Sequence, residues 1–146
     1  METRININEI EPKAYKAMYG LEGYLLNGQL TSAHLHLIKL RASLINGCAF
    51  CIDMHTKEAL KSGETQQRIF LLSAWKETDL YTEEERVILS LTEEITLINQ
   101  GGISDKVYQQ AEKLFDKSYL AQIIMAAVTI NAWNRIAIST KLQPAE

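Results

Sequence analysis

Residues 40–63, LRASLINGCAFCIDMHTKEALKSG, contain two helical patterns separated by one glycine, and they decide the fold class. Gly47 interrupts an apolar helical pattern that begins near Thr31, a residue suited to capping a helix. A second pattern starts near Cys48 and stops at Gly63, a residue that commonly follows a helix end. This stretch therefore predicts a helix, a tight break and another helix, with a C-x-x-C motif at the second N-terminus.

Helix-capping residues and apolar residues at helical spacing also occur on both sides of this stretch. Nothing between the two prolines reads as a linker or an internal repeat, so residues 1–146 are predicted to form a single domain. The predicted fold is all-α, a bundle of about six to seven helices. Five helices besides the two above are predicted: Pro12 to about Leu26, after Thr65, after Thr82 as far as Gly101, after Ser104, and about Ser118 to Ile138.

The last predicted helix is apolar on nearly every side. Its β-branched residues, such as Ile123, Ile124 and Val128, could suggest a strand, but the segment is too long and its caps are helical. A helix that is apolar all round must be covered all round. We therefore expect either a central core helix or one buried by contacts between subunits.

Composition and charge exclude several classes of function. Hydrophobic residues make up 47% of the chain and charged residues 23%, which is ordinary for a globular protein. The net charge is −3 and no basic block occurs, so nucleic-acid binding has no support. The N-terminus lacks a signal-peptide pattern, and the most apolar stretch is shorter than the roughly 20 residues of a membrane span. A cytoplasmic protein that does not enter membranes is expected.

The two cysteines point to redox chemistry. They lie three residues apart, too close to staple distant segments, and no second C-x-x-C or paired histidine motif completes a zinc site. Cys48 at a helix start is placed where backbone N–H groups favour a thiolate. Helical Cα atoms three residues apart are roughly 5–6 Å apart, within reach of a disulfide. His55 follows Cys51 by one turn, so it can exchange a proton with that sulfur.

The same window resembles the signature of the alkylhydroperoxidase D-like proteins of the carboxymuconolactone decarboxylase family. Residues 129–140, TINAWNRIAIST, are also similar to that family's last helix, and the resemblance extends from about Pro12 to Lys141. It implies an all-helical fold, assembly into homotrimers or hexamers, and reduction of hydroperoxides through the cysteine pair without a bound cofactor. It also implies an external dithiol reductant of lipoyl or thioredoxin type.

Two positions depart from the pattern of the family's peroxidases. His36 stands twelve residues before Cys48, where those members usually carry a glutamate of a proton relay, and Phe50 stands where some carry a histidine. A neutral His36 could still pass a proton or orient a water, so it joins Cys48, Cys51 and His55 as a catalytic candidate. We expect weaker or differently pH-tuned activity than a glutamate would give.

Other polar residues receive structural interpretations. His34 is expected at the surface, whereas Asp53 and Glu58 are expected to be solvated or to stabilise their helix. Trp133, with its neighbours Asn134 and Arg135, is expected to have a packing or interface role.

The predicted chemistry is attack of a cysteine thiolate on a hydroperoxide, followed by condensation of the sulfenic acid with the other cysteine. The helix start favours Cys48 as the attacking residue and the contact with His55 favours Cys51. The second is preferred, and the reverse stays open. Three alternatives remain: a carboxymuconolactone-type decarboxylase, a peroxide-independent thiol–disulfide oxidoreductase or redox sensor, and a non-catalytic oligomeric binding protein.

Overall fold

Side-chain caps that are visible in the sequence begin most of the helices. The Thr31 hydroxyl accepts a hydrogen bond from the backbone N–H of His34 at 3.2 Å. Thr82 and Glu85 form the predicted capping box, with N–H to oxygen distances of 3.2 and 2.8 Å. Gly47 ends its helix in the left-handed conformation, with a φ of 69°. The local start and stop signals therefore act as the sequence predicts.

The computed structural model describes residues 1–145, and every regular element in this range is helical. This confirms the predicted all-α bundle. Two 3₁₀ segments, Leu72–Glu77 and Ile98–Gln100, supplement the α-helices. The α-helices are α1 Ile7–Ile10, α2 Pro12–Leu26, α3 Ser32–Asn46, α4 Ala49–Lys61, α5 Gln66–Phe70, α6 Glu83–Thr96, α7 Asp105–Leu114 and α8 Lys117–Thr140.

The helix predicted after Thr65 is not continuous. It divides into α5 and a 3₁₀ segment, and Ala74 inside that segment has non-helical dihedral angles. Leu72 and Trp75 lie on either side of this break. Both side chains are buried in a cluster with Leu37 of α3. The irregular backbone therefore lies between two residues that are packed in the core.

The end of one predicted helix also differs, and one short helix was not predicted. Helix α6 ends at Thr96 rather than at Gly101, and Ile98 of the following 3₁₀ segment is exposed. A short helix, α1, was not predicted; the Asn6 side chain caps it by accepting from the N–H groups of two later residues.

Helix α8 is the central helix of the bundle and contacts α2, α3, α4, α6 and α7. This confirms the expectation of a core helix. Its cover is incomplete, because the side chains of Val128 and Ile138 are 43% and 45% exposed. Among residues 1–145, no helix has both the length and the apolarity needed to cross a membrane.

Candidate active site

Cys48 and Cys51 form a disulfide at the N-terminus of α4. Their Cα atoms are 5.3 Å apart, within the range that helical spacing predicts. Cys48 is the N-cap residue, and its sulfur accepts a hydrogen bond from the Cys51 N–H at 3.3 Å. The pair is therefore built into the first turn of the helix, where the dipole and unpaired N–H groups favour negative charge on sulfur.

A buried polar network fixes the turn that leads into this pair. The Asn46 side-chain amide, at the end of α3, donates to the Oδ1 atoms of Asn131 and Asn134 at 2.9 Å each. Asn134 in turn donates to Ser43 Oγ at 3.0 Å. These bonds tie the end of α3 to α8, so the backbone enters Cys48 from a fixed position.

Both sulfur-bearing side chains are shielded from solvent. Cys48 is 1% exposed and Cys51 is 2% exposed. They pack against Ala137 of α8, with Phe50 and Leu142 at the edge of the same cluster. Leu142 turns back onto the disulfide after Lys141, which ends α8 in the left-handed conformation. Leu142 therefore covers part of the cysteine pair.

A largely apolar cavity of about 350 Å³ lies beside the pair. Cys51 and His55 both line it, whereas Cys48 is not among its lining residues. The predicted i, i+4 relationship thus brings the second cysteine and the histidine to one surface. Apolar lining residues such as Phe50 and Met54 surround them.

His55 is held by a carboxylate on its own helix. Its Nδ1 lies 2.8 Å from Glu58 Oε2, and its side chain is 6% exposed. A carboxylate only accepts hydrogen bonds, so this contact assigns the proton of the neutral ring to Nδ1 and leaves the lone pair on Nε2. Burial lowers the pKa of His55, and the hydrogen bond that the ring donates to Glu58 opposes that shift without cancelling it. The ring can therefore act as a base near neutral pH.

An ion pair also lines the cavity. The Lys39 ammonium lies 3.1 Å from Glu22 Oε2, and the Trp133 indole N–H donates to the other Glu22 oxygen at 3.0 Å. All three side chains belong to the lining. Sequence reasoning missed this pair. The sequence did contain a signal: Lys39 lies within the apolar run HLIKL, where a buried helix face is expected, and a buried lysine usually has a charged partner.

His36 lies outside this cavity. Its Nε2 is 3.1 Å from Ser62 Oγ, and it lines a separate surface pocket that also includes Arg68. Its Nδ1 is buried and has no hydrogen-bond partner in residues 1–145. Burial lowers the pKa of His36. The structure therefore brings together three of the four candidates, Cys48, Cys51 and His55, and places His36 apart from them.

Three other expectations can be compared with the structure. The surface position expected for His34 is wrong: this residue is buried, with Nδ1 2.7 Å from the Tyr119 hydroxyl. Asp53 forms the expected helix-stabilising contact, 2.8 Å from Lys57 Nζ. Glu58 is exposed, as expected, and it also binds His55. Its i, i+3 spacing was the signal that could have found this contact.

Comparison with known proteins identifies the family. The profile of the carboxymuconolactone decarboxylase family matches residues 12–94, more than half of the chain. The chain belongs to the carboxymuconolactone decarboxylase family. The match spans both cysteines and His55, and it confirms the resemblance seen in the sequence.

Individual proteins are similar to this chain in sequence or in fold. The uncharacterized protein YdfG of Bacillus subtilis (strain 168) is 42% identical over 139 residues, 95% of each chain. An Agrobacterium tumefaciens protein, described as a candidate AhpD antioxidant defence protein of unknown function, is 41% identical with a TM-score of 0.96 over 99% of both chains. A peroxidase-related protein from Silicibacter sp. TM1040 shares the fold at 20% identity and a TM-score of 0.78, covering 89% of this chain and 69% of its own.

Proposed function

We propose that this protein is a thiol-dependent peroxidase that reduces alkyl hydroperoxides through Cys48 and Cys51, with His55 as proton carrier. The observation that carries the proposal is that Cys51 and His55 line one apolar cavity while Cys51 is bonded to Cys48. The relative described as a candidate AhpD antioxidant defence protein supports the same class of activity.

The first step is activation of the Cys51 thiol. In the reduced protein, His55 accepts the thiol proton at Nε2, because Nδ1 is held by Glu58. The N-terminal end of α4 stabilises the resulting thiolate. Glu58 acts as a positioning residue: it fixes the ring and stabilises the imidazolium once the proton has moved. Glu58 thus gives His55 the carboxylate partner that His36, being a histidine, cannot provide.

The second step is transfer of oxygen from the hydroperoxide. The thiolate attacks the terminal oxygen of ROOH, the O–O bond breaks, and His55 returns the proton to the departing alkoxide to give ROH. Cys51 is left as a sulfenic acid. The Cys48 thiol attacks this sulfur, water leaves, and the disulfide forms. An external dithiol then supplies two electrons and two protons by exchange.

The location of the two sulfurs supports Cys51 as the attacking residue. A hydroperoxide in the cavity meets Cys51, whereas Cys48 is not among the residues that line the cavity. Cys48 is already within bonding distance, so it can resolve the sulfenic acid without movement of the helix. The catalytic role of His36, a lipoyl or thioredoxin-type reductant, and assembly into trimers or hexamers remain predictions.

A steady-state assay with single variants tests the proposal. The reduced protein should consume cumene hydroperoxide with dihydrolipoamide as dithiol, and Cys51→Ser should abolish turnover. Cys48→Ser should also lose turnover yet form one sulfenic acid per chain that dimedone traps. Sulfenic acid in Cys51→Ser but not in Cys48→Ser would reverse the assignment. Absence of peroxide consumption, combined with reduction of oxidised lipoamide by the thiols, would favour the thiol–disulfide oxidoreductase instead.

A further inference from the structure

Three aromatic side chains form one wall of the cavity that Cys51 lines. Tyr15 lies edge-on to Trp133 with ring centroids 5.3 Å apart, and Tyr19 lies 6.0 Å from Tyr15 and 5.7 Å from Trp133. We call Tyr15, Tyr19 and Trp133 the aromatic wall. Edge-to-face and offset contacts with such a wall favour a ligand that itself carries an aromatic ring.

The remaining lining is also mostly apolar and includes an adaptable side chain. Phe50, Ile136 and Leu142 contribute carbon surface, and Met54 contributes a flexible thioether that contacts aromatic rings favourably. The volume of about 350 Å³ lies near the small end of the range of roughly 300–1,000 Å³ for ligand sites. The cavity therefore suits one small ring-bearing molecule.

The charged groups of the cavity disfavour an anionic ligand. Lys39 is the only lysine or arginine among its lining residues, and its ammonium is engaged by Glu22 at 3.1 Å. Glu58 adds a second carboxylate, which is engaged by His55. A ligand carboxylate entering here would lose its hydration and meet two like charges, with no cation available to pair with it.

We infer that the cavity selects uncharged hydroperoxides that carry an aromatic ring, with the ring on the aromatic wall and the peroxide oxygens at Cys51. The inference rests on the proposed function for the reaction and goes beyond it by naming the substrate class. Tyr19, which is 58% exposed, is the specificity residue most open to mutation because its removal leaves the core intact.

A binding experiment tests the ligand class without any turnover. In the Cys51→Ser variant, 2-phenyl-2-propanol should change the fluorescence of Trp133, and 4-isopropylbenzoate, which is similar in size but anionic, should bind at least about tenfold more weakly. The only other tryptophan, Trp75, lies in a different core cluster and gives a constant background. The fluorescence change should disappear in Trp133→Phe. Equal binding of the two ligands would overturn the inference.

A kinetic experiment tests the aromatic wall with a matched control. Tyr19→Ala should lower kcat/KM for cumene hydroperoxide by about three- to tenfold, the effect of losing one aromatic contact, and leave hydrogen peroxide unaffected. Tyr24→Ala is the control, because Tyr24 lies on the same helix at 47% exposure and does not line the cavity. A Tyr19→Ala effect that is equal for both peroxides, or equal to that of the control, would overturn the inference.

Replacement of Glu22 tests the effect of charge in the cavity. Glu22→Gln releases Lys39 from its ion pair, so binding of 4-isopropylbenzoate should strengthen by at least about fivefold while binding of the alcohol changes little. Unchanged carboxylate binding would contradict the role assigned to this pair. These outcomes are separable from the proposed function. Selective binding of the alcohol by a protein without peroxidase activity would contradict the proposed reaction but not the ligand preference. Peroxidase activity without a preference for aromatic hydroperoxides would contradict the ligand preference but not the reaction.

Discussion

His55 and Glu58 lie three residues apart on α4 and are joined by a hydrogen bond of 2.8 Å between Nδ1 and Oε2. The contact fixes the tautomer of a buried imidazole that lines the same cavity as Cys51. It also supplies a carboxylate partner from the same helix, in a chain that lacks the relay glutamate twelve residues before Cys48. Protonation of the leaving alkoxide is expected to depend on this pair.

Replacement of Glu58 by glutamine is expected to lower peroxidase kcat/KM by about tenfold, part of the roughly 10²–10⁴-fold that general acid–base catalysis supplies. The Glu58 hydrogen bond raises the pKa of His55 against the effect of burial. Its loss should therefore lower that pKa and move the acid limb of the pH–rate profile to lower pH. Steady-state rates between pH 5 and 8 measure both effects.

Asp53→Asn is the matched control for this prediction. Asp53 lies on the same helix and pairs with Lys57, away from the cavity lining. Its amide variant should leave both kcat/KM and the acid limb in place. An equal change in the two variants would assign the Glu58 effect to helix stability rather than to the imidazole.

Mild acid is expected to destabilise the fold. Burial lowers the pKa of His34, His36 and His55, so below pH about 6.5 the unfolded state binds more protons than the folded state. The free energy of unfolding should therefore keep the full contribution of these histidines above pH 6.5 and should decrease as the pH drops below that value. Urea unfolding at pH 7.5 and pH 5.5 measures this. Equal or greater stability at pH 5.5 would contradict it.

Shortening of Leu142 should expose the disulfide. Leu142 packs on the Cys48–Cys51 cluster, so Leu142→Ala removes part of its cover. The smaller side chain buries less apolar surface, which lowers the free-energy cost of exposing the disulfide by about 1 kcal/mol. Reduction by tris(2-carboxyethyl)phosphine should therefore be about three- to tenfold faster. The adjacent exposed residue provides the control, Gln143→Ala. Identical reduction rates in the two variants would show that Leu142 does not limit access.

The network around Asn134 should contribute measurably to stability. Asn134→Ala removes one of the two hydrogen bonds that the Asn46 amide donates and the one that Ser43 Oγ accepts, at an expected loss of about 1–3 kcal/mol in the free energy of unfolding. Asn99→Ala, at an exposed position, should change stability by less than about 0.5 kcal/mol. Urea unfolding of both variants tests the difference, and equal midpoints would contradict the role of the network.

Local signals in the sequence were sufficient for most of the helices and for the cysteine pair. Thr31, Gly47 and Thr82 act within one turn of themselves, so their effects are visible without tertiary information. The spacing of Cys48 and Cys51 fixes their separation in the same way. These predictions succeeded because the deciding interactions are between near neighbours.

Long-range contacts account for what the sequence did not reveal. The Lys39–Glu22 pair joins α3 to α2, and Trp133 of α8 donates to Glu22. Residue spacing within a single helix cannot predict either contact, because each joins two different helices. The orientation of His36 toward Ser62 also depends on how α3 packs against α4. These relationships emerge only when the helices are assembled.

The most direct test of the central claim is a count of free thiols in the reduced protein before and after one equivalent of cumene hydroperoxide. Mass spectrometry of peptides then locates any new bond. The proposed function predicts rapid loss of both thiols and formation of one Cys48–Cys51 disulfide per hydroperoxide consumed. Unchanged thiols with the peroxide still present would contradict peroxide reduction by this pair.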